Sequence, residues 1–283
     1  MRHQGWVMPL FVPATRPERF AKAAASGADA IILDLEDAVD PSDKSEARRN
    51  VAKSIGLGSD VILRINATGT QWHDEDLRAG REAGVQAIML AKAERVEDLA
   101  RAHQATGLPV IALIETLAAL DQLGALAAAP GVIQMAFGTM DMAAELGCTP
   151  MSSVMAPIRL QILAASVRAG IAAPLEGVSL LLTEADVLQK EAAAIAANGF
   201  AGRLLIHPAQ IEPTAKGLAP TFEELTLARK IGASTGAAVR VEGRMVDRPV
   251  RLNAERLIAR AAQIAATLAK ADPNAPHREI KHV

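Results

Sequence analysis

The amino-acid sequence predicts an α/β fold: a closed (β/α)₈ TIM barrel followed by a C-terminal helical extension with a lid. Eight short apolar runs rich in β-branched residues recur along the chain, with helix-like segments between them. Most of these segments stop at a glycine just before the next run, as a helix followed by a short loop should. Strands that alternate with helices are parallel, and eight such units over about 250 residues match the usual size of a barrel.

The predicted strands are four to six residues long and apolar. They are Val7–Val12, Ala30–Leu35, Val61–Ile65, Ala87–Leu90, Val110–Ile114, Val132–Phe137, Glu176–Leu181 and Arg203–Ile206. An open, doubly wound sheet is the structural alternative. The sequence lacks the G-x-G-x-x-G turn that would support a dinucleotide-binding version of that sheet.

Residues beyond the eighth strand exceed what a barrel needs. The sequence predicts a helix from Thr221 to about Ala233, which starts with a capping box, and a last helix near Asn253–Ala271. A glycine-flanked loop at residues 236–251 joins them, and the tail after residue 271 is expected to fray. We therefore divide the chain into a barrel domain, residues 1–220, and a C-terminal extension, residues 221–283.

The composition excludes several classes of protein. A formal net charge of -2, no block of Lys and Arg, and an aromatic content of 2% argue against a nucleic-acid surface. A single cysteine, Cys148, excludes an intramolecular disulfide and fits a reducing compartment. The sequence shows neither a signal peptide nor an apolar stretch long enough to span a membrane. We expect a soluble cytoplasmic protein.

Polar residues follow six of the eight predicted strands, at the end of the barrel where chemistry collects. They are Asp34, Glu36 and Asp37 after strand two, Arg64 and Asn66 after strand three, Lys92 after strand four, Glu115 after strand five, Asp141 after strand six and His207 after strand eight. Burying several ionised carboxylates without partners is costly. We therefore expect these side chains to line the mouth of the barrel, where cations compensate the acids.

Glu115 and Asp141 are the most informative pair, because each follows an apolar strand and the two strands are neighbours. Adjacent strands lie about 4.8 Å apart, so two carboxylates there repel each other unless a cation lies between them. Oxygen ligands with no Cys or His nearby suit Mg²⁺. We prefer metal ligation to structural salt bridges for this pair.

The other candidate site residues each allow more than one interpretation. Arg64 either pairs with Glu36 or Asp37 or presents its fork to a substrate oxygen, and one guanidinium can do both. Lys44 and Arg48, spaced i and i+4, share one helix face, which by itself suggests an ordinary solvated surface. His207, held before a proline, is either a general base or a structural hydrogen-bonding group.

Seven segments in a fixed order carry a family resemblance. They are LFVPATRPERFAKAAASGADAIILDLEDAV, DKSEAR, LRINATGTQWHDEDL, ALIET, FGTMDMAAELG, LLIHPAQI and GRMVDRP. Together they resemble the citrate lyase β-subunit-like proteins of the HpcH/HpaI aldolase superfamily, close to malyl-CoA and citramalyl-CoA lyases. The resemblance covers roughly residues 6 to 270.

The resemblance implies a Mg²⁺-dependent enzyme that cleaves or forms a carbon–carbon bond in a short 3-hydroxyacyl thioester. By position, Glu115 and Asp141 are similar to the family's metal ligands. Arg64 is similar to the arginine that contacts the reacting thioester or acid, supported by Glu36 and Asp37. We further expect the backbone N–H groups around Thr139 and Met140 to bind the carboxylate of the oxo acid, and His207 to belong to the substrate-binding residues.

The resemblance also implies a coenzyme A site and a shared active site. Arg16, Lys44 and Arg48 match positions that hold the phosphates and nucleotide of coenzyme A, which changes the interpretation of that helix face. Asp247, in the lid sequence GRMVDRP, matches an aspartate that reaches the site of a neighbouring subunit and moves a proton there. The resemblance thus implies that residues 1–220 form the catalytic domain and that the extension, residues 221–283, packs on a neighbouring subunit of a homo-oligomer, a trimer or a hexamer.

Two other functions remain open. One is an HpcH-type aldolase that acts on free 2-oxo acids and needs no coenzyme A site. The other is a citrate lyase β subunit that works on a thioester bound to an acyl carrier protein. Residues that depart from the family pattern, such as Glu176 where many relatives carry Asp, leave the acyl group of the substrate open.

Overall fold

The computed structural model describes residues 5–271, and eight parallel strands form one sheet in chain order. The strands are β1 Leu10–Pro13, β2 Ala30–Asp34, β3 Asp60–Ile65, β4 Ala87–Leu90, β5 Val110–Ile114, β6 Val132–Phe137, β7 Leu175–Glu176 and β8 Gly202–Arg203. The segment around β8 returns to β1, because Phe11 N–H donates to the Leu205 carbonyl at 2.8 Å and Arg203 N–H to the Val7 carbonyl at 2.9 Å. The predicted α/β barrel is confirmed.

Three strands differ from the sequence prediction by three or more residues at one boundary, and β2 and β3 differ by a single residue. β1 starts at Leu10 rather than Val7, because the Val7 and Met8 N–H groups donate to the Asp29 carboxylate. β7 ends at Glu176, and the segment after it, predicted as strand to Leu181, is irregular. There the side chain of Gln210 donates to the Ser179 and Leu181 carbonyls, at 2.9 and 2.7 Å, where a strand would have used a neighbouring strand. β8 is likewise two residues long.

Helices follow the strands and cover the outside of the barrel. They are α1 Phe20–Ala24, α2 Lys44–Val51, α3 His73–Ala83, α4 Val96–Thr106, α5 Leu117–Leu120, α6 Leu123–Ala127, α7 Thr139–Leu146, α8 Met155–Ala169, α9 Ala185–Ala197, α10 Ile211–Leu218, α11 Phe222–Gly232 and α12 Arg248–Ala271. None of the helices within residues 5–271 is long and apolar enough to cross a membrane.

Strand side chains alternate between two apolar clusters. Ile31 and Leu33 point outward to the helices, whereas Ala30 and Ile32 point into the barrel with Met89, Leu113 and others. Trp6 fills the N-terminal end of the interior, where its N–H groups donate to Gln134 and Asp60, each at 3.0 Å. The C-terminal ends of the strands, here called the mouth, form the opposite end, where barrels of this kind carry their sites.

The C-terminal extension packs on its own barrel. The predicted capping box of α11 is confirmed: Thr221 accepts from Glu224 N–H, and the Glu224 carboxylate accepts from Thr221 N–H. The loop at residues 236–251 contains a hairpin that the sequence did not predict, β9 Val239–Val241 and β10 Arg244–Val246, and α12 starts five residues earlier than expected. Arg260 of α12 donates to the Ala196 and Phe200 carbonyls. The predicted frayed tail lies outside the described residues.

Candidate active site

Arg64 stands at the centre of the mouth, held by two acids. Its Nε and Nη2 donate to the two oxygens of Asp34, at 2.7 and 2.6 Å, and its Nη1 lies 3.1 Å from Glu36 Oε2. The guanidinium carbon lies 4.8 Å from the centre of the Phe11 ring. Asp37 is exposed, and its N–H donates to Glu36. The acids that fix Arg64 are therefore Asp34 and Glu36.

This pairing keeps Arg64 charged although it is largely buried. Burial alone would lower the pKa of Arg64, but the charge and hydrogen bonds of Asp34, with a smaller contribution from Glu36, raise it above its ordinary value. Because two carboxylates already hold the fork in one geometry, the guanidinium can meet a developing negative charge with little reorganisation.

Lys92, two residues beyond β4, links the acids of the mouth. Its Nζ donates to Glu36 Oε1 at 2.5 Å, and its backbone N–H donates to Glu115 Oε1 at 2.7 Å. Burial lowers the pKa of Lys92, but the hydrogen bond and charge of Glu36 outweigh this, so the pKa is raised. Lys92 is therefore a cation at neutral pH.

Glu115 directly follows β5 and is 2% exposed. Burial raises the pKa of Glu115 to about 8, with a smaller contribution from the charge of Glu36, and the hydrogen bond from Lys92 N–H opposes the shift. Gly138 follows the neighbouring β6, and a Cβ there would lie 2.4 Å from Glu115 Cβ. Glycine at that position thus leaves the space that the Glu115 side chain occupies.

Asp141 lies in the first turn of α7, three residues beyond Gly138, and is partly exposed. Thr139 and Met140 begin the same helix, and the N–H groups of a first helical turn lack acceptors within the helix. Thr139 is buried against Gly177, where a Cβ would lie 2.0 Å from its Oγ1. The start of α7 therefore presents backbone donors and one carboxylate just beyond β6, the strand that pairs with β5.

The donor set suits a hard divalent cation. Within residues 5–271 no group of three or more His, Cys, Asp or Glu side chains is placed to hold a metal ion. Mg²⁺ needs fewer protein ligands, because it retains waters and accepts substrate oxygens. Glu115, whose ionised form is disfavoured by burial, and Asp141 supply two carboxylates at neighbouring strand ends. These residues fit Mg²⁺.

Lys44 lies beneath the mouth and is 5% exposed, so it does not belong to a solvated helix face. Its ammonium donates to the Leu35 carbonyl, the Glu36 carbonyl and Asn66 Oδ1, at 2.7, 2.8 and 2.8 Å. These three acceptors use all three donors of the ammonium. Burial lowers the pKa of Lys44, although Asp34 and Asp76 partly offset the effect.

The other two predicted coenzyme A contacts differ in exposure. Arg48 is paired with Glu75 and with Asp76 Oδ1 at 3.2 Å, and its side chain is 11% exposed. Arg16, just beyond β1, is exposed and lies 3.9 Å from Glu18. Of the three cations, Arg16 is the one that reaches the solvent.

His207 and Asp247 both cap helices in this chain. His207 Nδ1 accepts from Ala209 N–H at 3.1 Å, and the Gln210 side chain accepts from His207 N–H, which is the structural role considered for this histidine. Asp247 Oδ1 accepts from Val250 N–H at 3.2 Å at the start of α12. Each of these contacts uses one side-chain atom, His207 Nδ1 or Asp247 Oδ1, and does not involve the other polar atom of that side chain.

Sequence reasoning placed Asp34 and Lys92 at strand ends but assigned neither of them a partner. The partner of Asp34 became clear only from the register between β2 and β3, which places it opposite Arg64. Asp76 was missed altogether: it is fully buried and accepts from Asn66 and Arg48. It is the last residue of the sequence HDED. Its residue type does not distinguish it from the neighbouring solvated acids; only the helix face on which it lies does.

The chain matches known proteins over most of its length. A model of the family described as HpcH/HpaI aldolase/citrate lyase matches residues 8–208. A "citrate lyase subunit beta-like protein" of Mycobacterium tuberculosis is 38% identical over 270 residues, which are 92% of this chain and 96% of that protein. A "(3S)-malyl-CoA thioesterase" of Cereibacter sphaeroides is 34% identical over 273 residues, which are 91% of this chain and 95% of that protein.

A solved structure has the same fold. It is the protein CitE of Mycobacterium tuberculosis in complex with magnesium, acetoacetate and coenzyme A. The TM-score is 0.81 at 36% sequence identity, and the match covers 93% of this chain and all of that one.

Proposed function

We propose that this chain, which belongs to the HpcH/HpaI aldolase/citrate lyase family of lyase-type enzymes, is a Mg²⁺-dependent carbon–carbon lyase for a short 3-hydroxyacyl-CoA thioester. Malyl-CoA and citramalyl-CoA are the substrates of this class that we would test first. The products are a 2-oxo acid and an acetyl-CoA-type thioester, and the enzyme would also catalyse the reverse reaction.

The observation that carries the proposal is the buried carboxylate of Glu115 beside a fixed guanidinium. Glu115 and Asp141 would hold Mg²⁺, and Arg64, charged and held by Asp34 and Glu36, faces the same mouth. When bound, Mg²⁺ supplies a Lewis acid for the carboxylate and hydroxyl or keto oxygens of the substrate. A relative of known structure that binds magnesium, acetoacetate and coenzyme A supports this assignment.

The chain's own residues account for the other end of the reacting bond. Cleavage breaks the bond between the hydroxyl-bearing carbon and the α-carbon of the thioester. The hydroxyl gives its proton to a water molecule in the mouth and becomes the carbonyl of the 2-oxo acid, while the electron pair of the broken bond stays with the thioester, which leaves as an enolate. Arg64 stabilises the enolate oxygen, and N–H groups around Thr139 and Met140 hold the carboxylate of the oxo acid. Asp247 of a neighbouring copy then delivers a proton to the enolate carbon.

Exposed apolar residues support a lid that comes from a second copy. Met245, two residues before Asp247, is 74% exposed at the hairpin. The rim of the mouth also exposes apolar side chains, which follow β5, β6, β7 and β8: Leu117, Met151, Val154, Leu180, Leu182 and Ile206. Several large exposed apolar side chains at one end of a barrel are typical of a surface that another protein copy covers. We propose a homo-oligomer, a trimer or a hexamer, in which the hairpin of one copy covers this rim of the next.

The coenzyme A moiety would lie toward Arg16, with Arg48 at the side of α2 and Lys44 fixing the loop after β2 from below. This arrangement favours the thioester lyase over an aldolase on free 2-oxo acids, which needs no cation there. A carrier-bound thioester remains the second candidate, because the relative that is 38% identical is named after the citrate lyase β subunit.

The test is incubation with malyl-CoA and citramalyl-CoA, with and without Mg²⁺, while 2-oxo acid and acyl thioester are measured separately. Equal amounts of both products, formed only with Mg²⁺, are expected. Free coenzyme A without 2-oxo acid would instead indicate thioester hydrolysis. Activity on a free 4-hydroxy-2-oxo acid, or only on a citryl thioester of a carrier protein, would establish one of the other two functions.

A further inference from the structure

Lys92 has a backbone conformation that its residue type rarely adopts. Its φ is 48°, and Glu242 is the other non-glycine residue with a positive φ within residues 5–271. Side chains with a Cβ disfavour this region, and such conformations persist only where the surroundings hold them. Glu242 lies in the turn of the hairpin, where a positive φ is normal. Lys92 lies at the end of a barrel strand, where no hairpin turn accounts for it.

The conformation redirects a single N–H group. Ala91 N–H donates to the Ile65 carbonyl and Ala93 N–H donates to the Leu113 carbonyl, so the residues on either side of Lys92 continue the pairing with β3 and β5. Lys92 N–H leaves this pattern and donates to Glu115 Oε1 at 2.7 Å. The rare φ thus coincides with a hydrogen bond to the buried carboxylate.

The side chain of the same residue reaches in the other direction. Its ammonium donates to Glu36 Oε1, and the second oxygen of Glu36 lies 3.1 Å from Arg64 Nη1. Glu36 is 6% exposed, so its position depends on these two cations more than on solvent. Lys92, which follows β4, therefore connects Glu115 after the neighbouring β5 with Glu36 after β2. Arg64 is on β3, the strand between β2 and β4.

We propose that Lys92 is a positioning residue with two separable roles. Its backbone N–H orients the Glu115 carboxylate toward the metal position, and its ammonium holds Glu36 so that Glu36 can hold Arg64. The inference rests on the proposed function, because it assigns Glu115 to the metal and Arg64 to the enolate.

Two variants test the backbone role of Lys92 separately from the role of its ammonium group. Lys92→Gly and Lys92→Val both remove the ammonium, so its electrostatic effect on a divalent cation cancels when the two are compared. Glycine accepts the positive φ freely, whereas a β-branched residue opposes it. We expect Lys92→Val to bind Mg²⁺ about tenfold more weakly than Lys92→Gly in calorimetry, the effect of disturbing a group that orients a metal ligand. Equal dissociation constants would overturn the backbone role.

If Lys92→Val does not fold, a second pair of variants with a smaller difference in side chain tests the same role. Alanine has a Cβ but no branch, so Lys92→Ala should bind Mg²⁺ about threefold more weakly than Lys92→Gly. Equal binding in this pair would overturn the role just as clearly. Glu242→Val and Glu242→Gly are the matched controls at the other positive φ, and their Mg²⁺ dissociation constants should be the same.

A double-mutant cycle tests the side-chain role. Lys92→Met should lower kcat about tenfold by releasing Glu36, and Glu36→Gln should do the same. Because the ammonium acts through Glu36, the double variant should be no slower than either single variant. If the factors by which the two single substitutions lower kcat multiply in the double variant, this role is wrong. It is also wrong if Lys92→Met has the kcat of the wild type. A wild-type protein that neither binds Mg²⁺ nor cleaves a thioester would refute the proposed function itself, a result distinct from these.

Discussion

Asp34 and Arg64 are cross-strand neighbours on β2 and β3, and two hydrogen bonds of 2.7 and 2.6 Å join them. Asp34 is 2% exposed and also accepts from the N–H groups of Glu36 and Ala38. One side chain thus fixes both the arginine of the mouth and the loop that carries Glu36.

Replacing Asp34 by Asn should therefore destabilise the protein. Removal of one partner from a buried pair costs about 3–5 kcal/mol, and Glu36, 3.1 Å from Arg64, offsets only part of that loss. Urea denaturation should show a loss of that order in the free energy of unfolding. The exposed pair of Arg101 and Asp74, 2.8 Å apart, is the matched control, and Asp74→Asn should cost less than about 1 kcal/mol. Equal losses at the two sites would contradict the role of Asp34.

Glu115→Gln and Asp141→Asn should each abolish Mg²⁺ binding while leaving the fold intact. Both substitutions keep the size of the side chain but remove the negative charge that a hard cation requires. Isothermal titration calorimetry measures the binding, and circular dichroism checks the fold. If either variant binds Mg²⁺ as the wild type does, that residue is not a ligand.

Stability without metal should fall as the pH rises from about 4.5 to about 8. Burial raises the pKa of Glu115 from 4.5 to about 8, so between these values the folded state binds a proton that the unfolded state has released. Where the folded state binds more protons than the unfolded state, the free energy of unfolding falls as the pH rises. The stability that the protonated Glu115 contributes should therefore be lost completely above about pH 8. Melting temperatures in a metal chelator, for the wild type minus Glu115→Gln, should show this slope. A difference that does not change with pH would contradict the raised pKa.

Arg16 and Lys44 should affect different properties. Arg16→Ala should weaken binding of the coenzyme A thioester by about 1–3 kcal/mol, because a charge-assisted phosphate contact is lost, and high salt should reduce the difference. Lys44→Met should chiefly lower the melting temperature, because it removes three buried hydrogen bonds and leaves Asn66 Oδ1 without its donor. The comparison needs KM and the melting temperature of both variants. An unchanged KM for Arg16→Ala would remove that residue from the site.

Asp247→Asn should assemble and bind Mg²⁺ and thioester, yet turn over poorly. Asparagine caps a helix as well as aspartate does, so the bond to Val250 N–H persists while the capacity for proton transfer is lost. Mixing this variant with Arg64→Ala under conditions of subunit exchange should restore some activity, since hybrid interfaces contain one intact site. Exchange detected by mass spectrometry without recovered activity would rule out a site shared between copies.

The sequence by itself determined the barrel and the composition of its mouth. Strand and helix periodicities are local, so runs such as Val110–Ile114 were predicted to the residue. Parallel strands bring their carboxyl ends to one edge, so Glu115, Arg64 and Asp141 could be assigned to that edge before any contact was known.

Only the tertiary structure decided which polar group holds which. Asp34 rather than Asp37 pairs with Arg64, because the register of β2 and β3 puts Asp34 opposite it and leaves Asp37 exposed. Lys44 is buried and Arg16 exposed, although both are cations on segments that follow a strand. The positive φ of Lys92 has no trace in the letters AKA around it. Register, burial and backbone sign depend on contacts between distant segments, and a local pattern does not contain them.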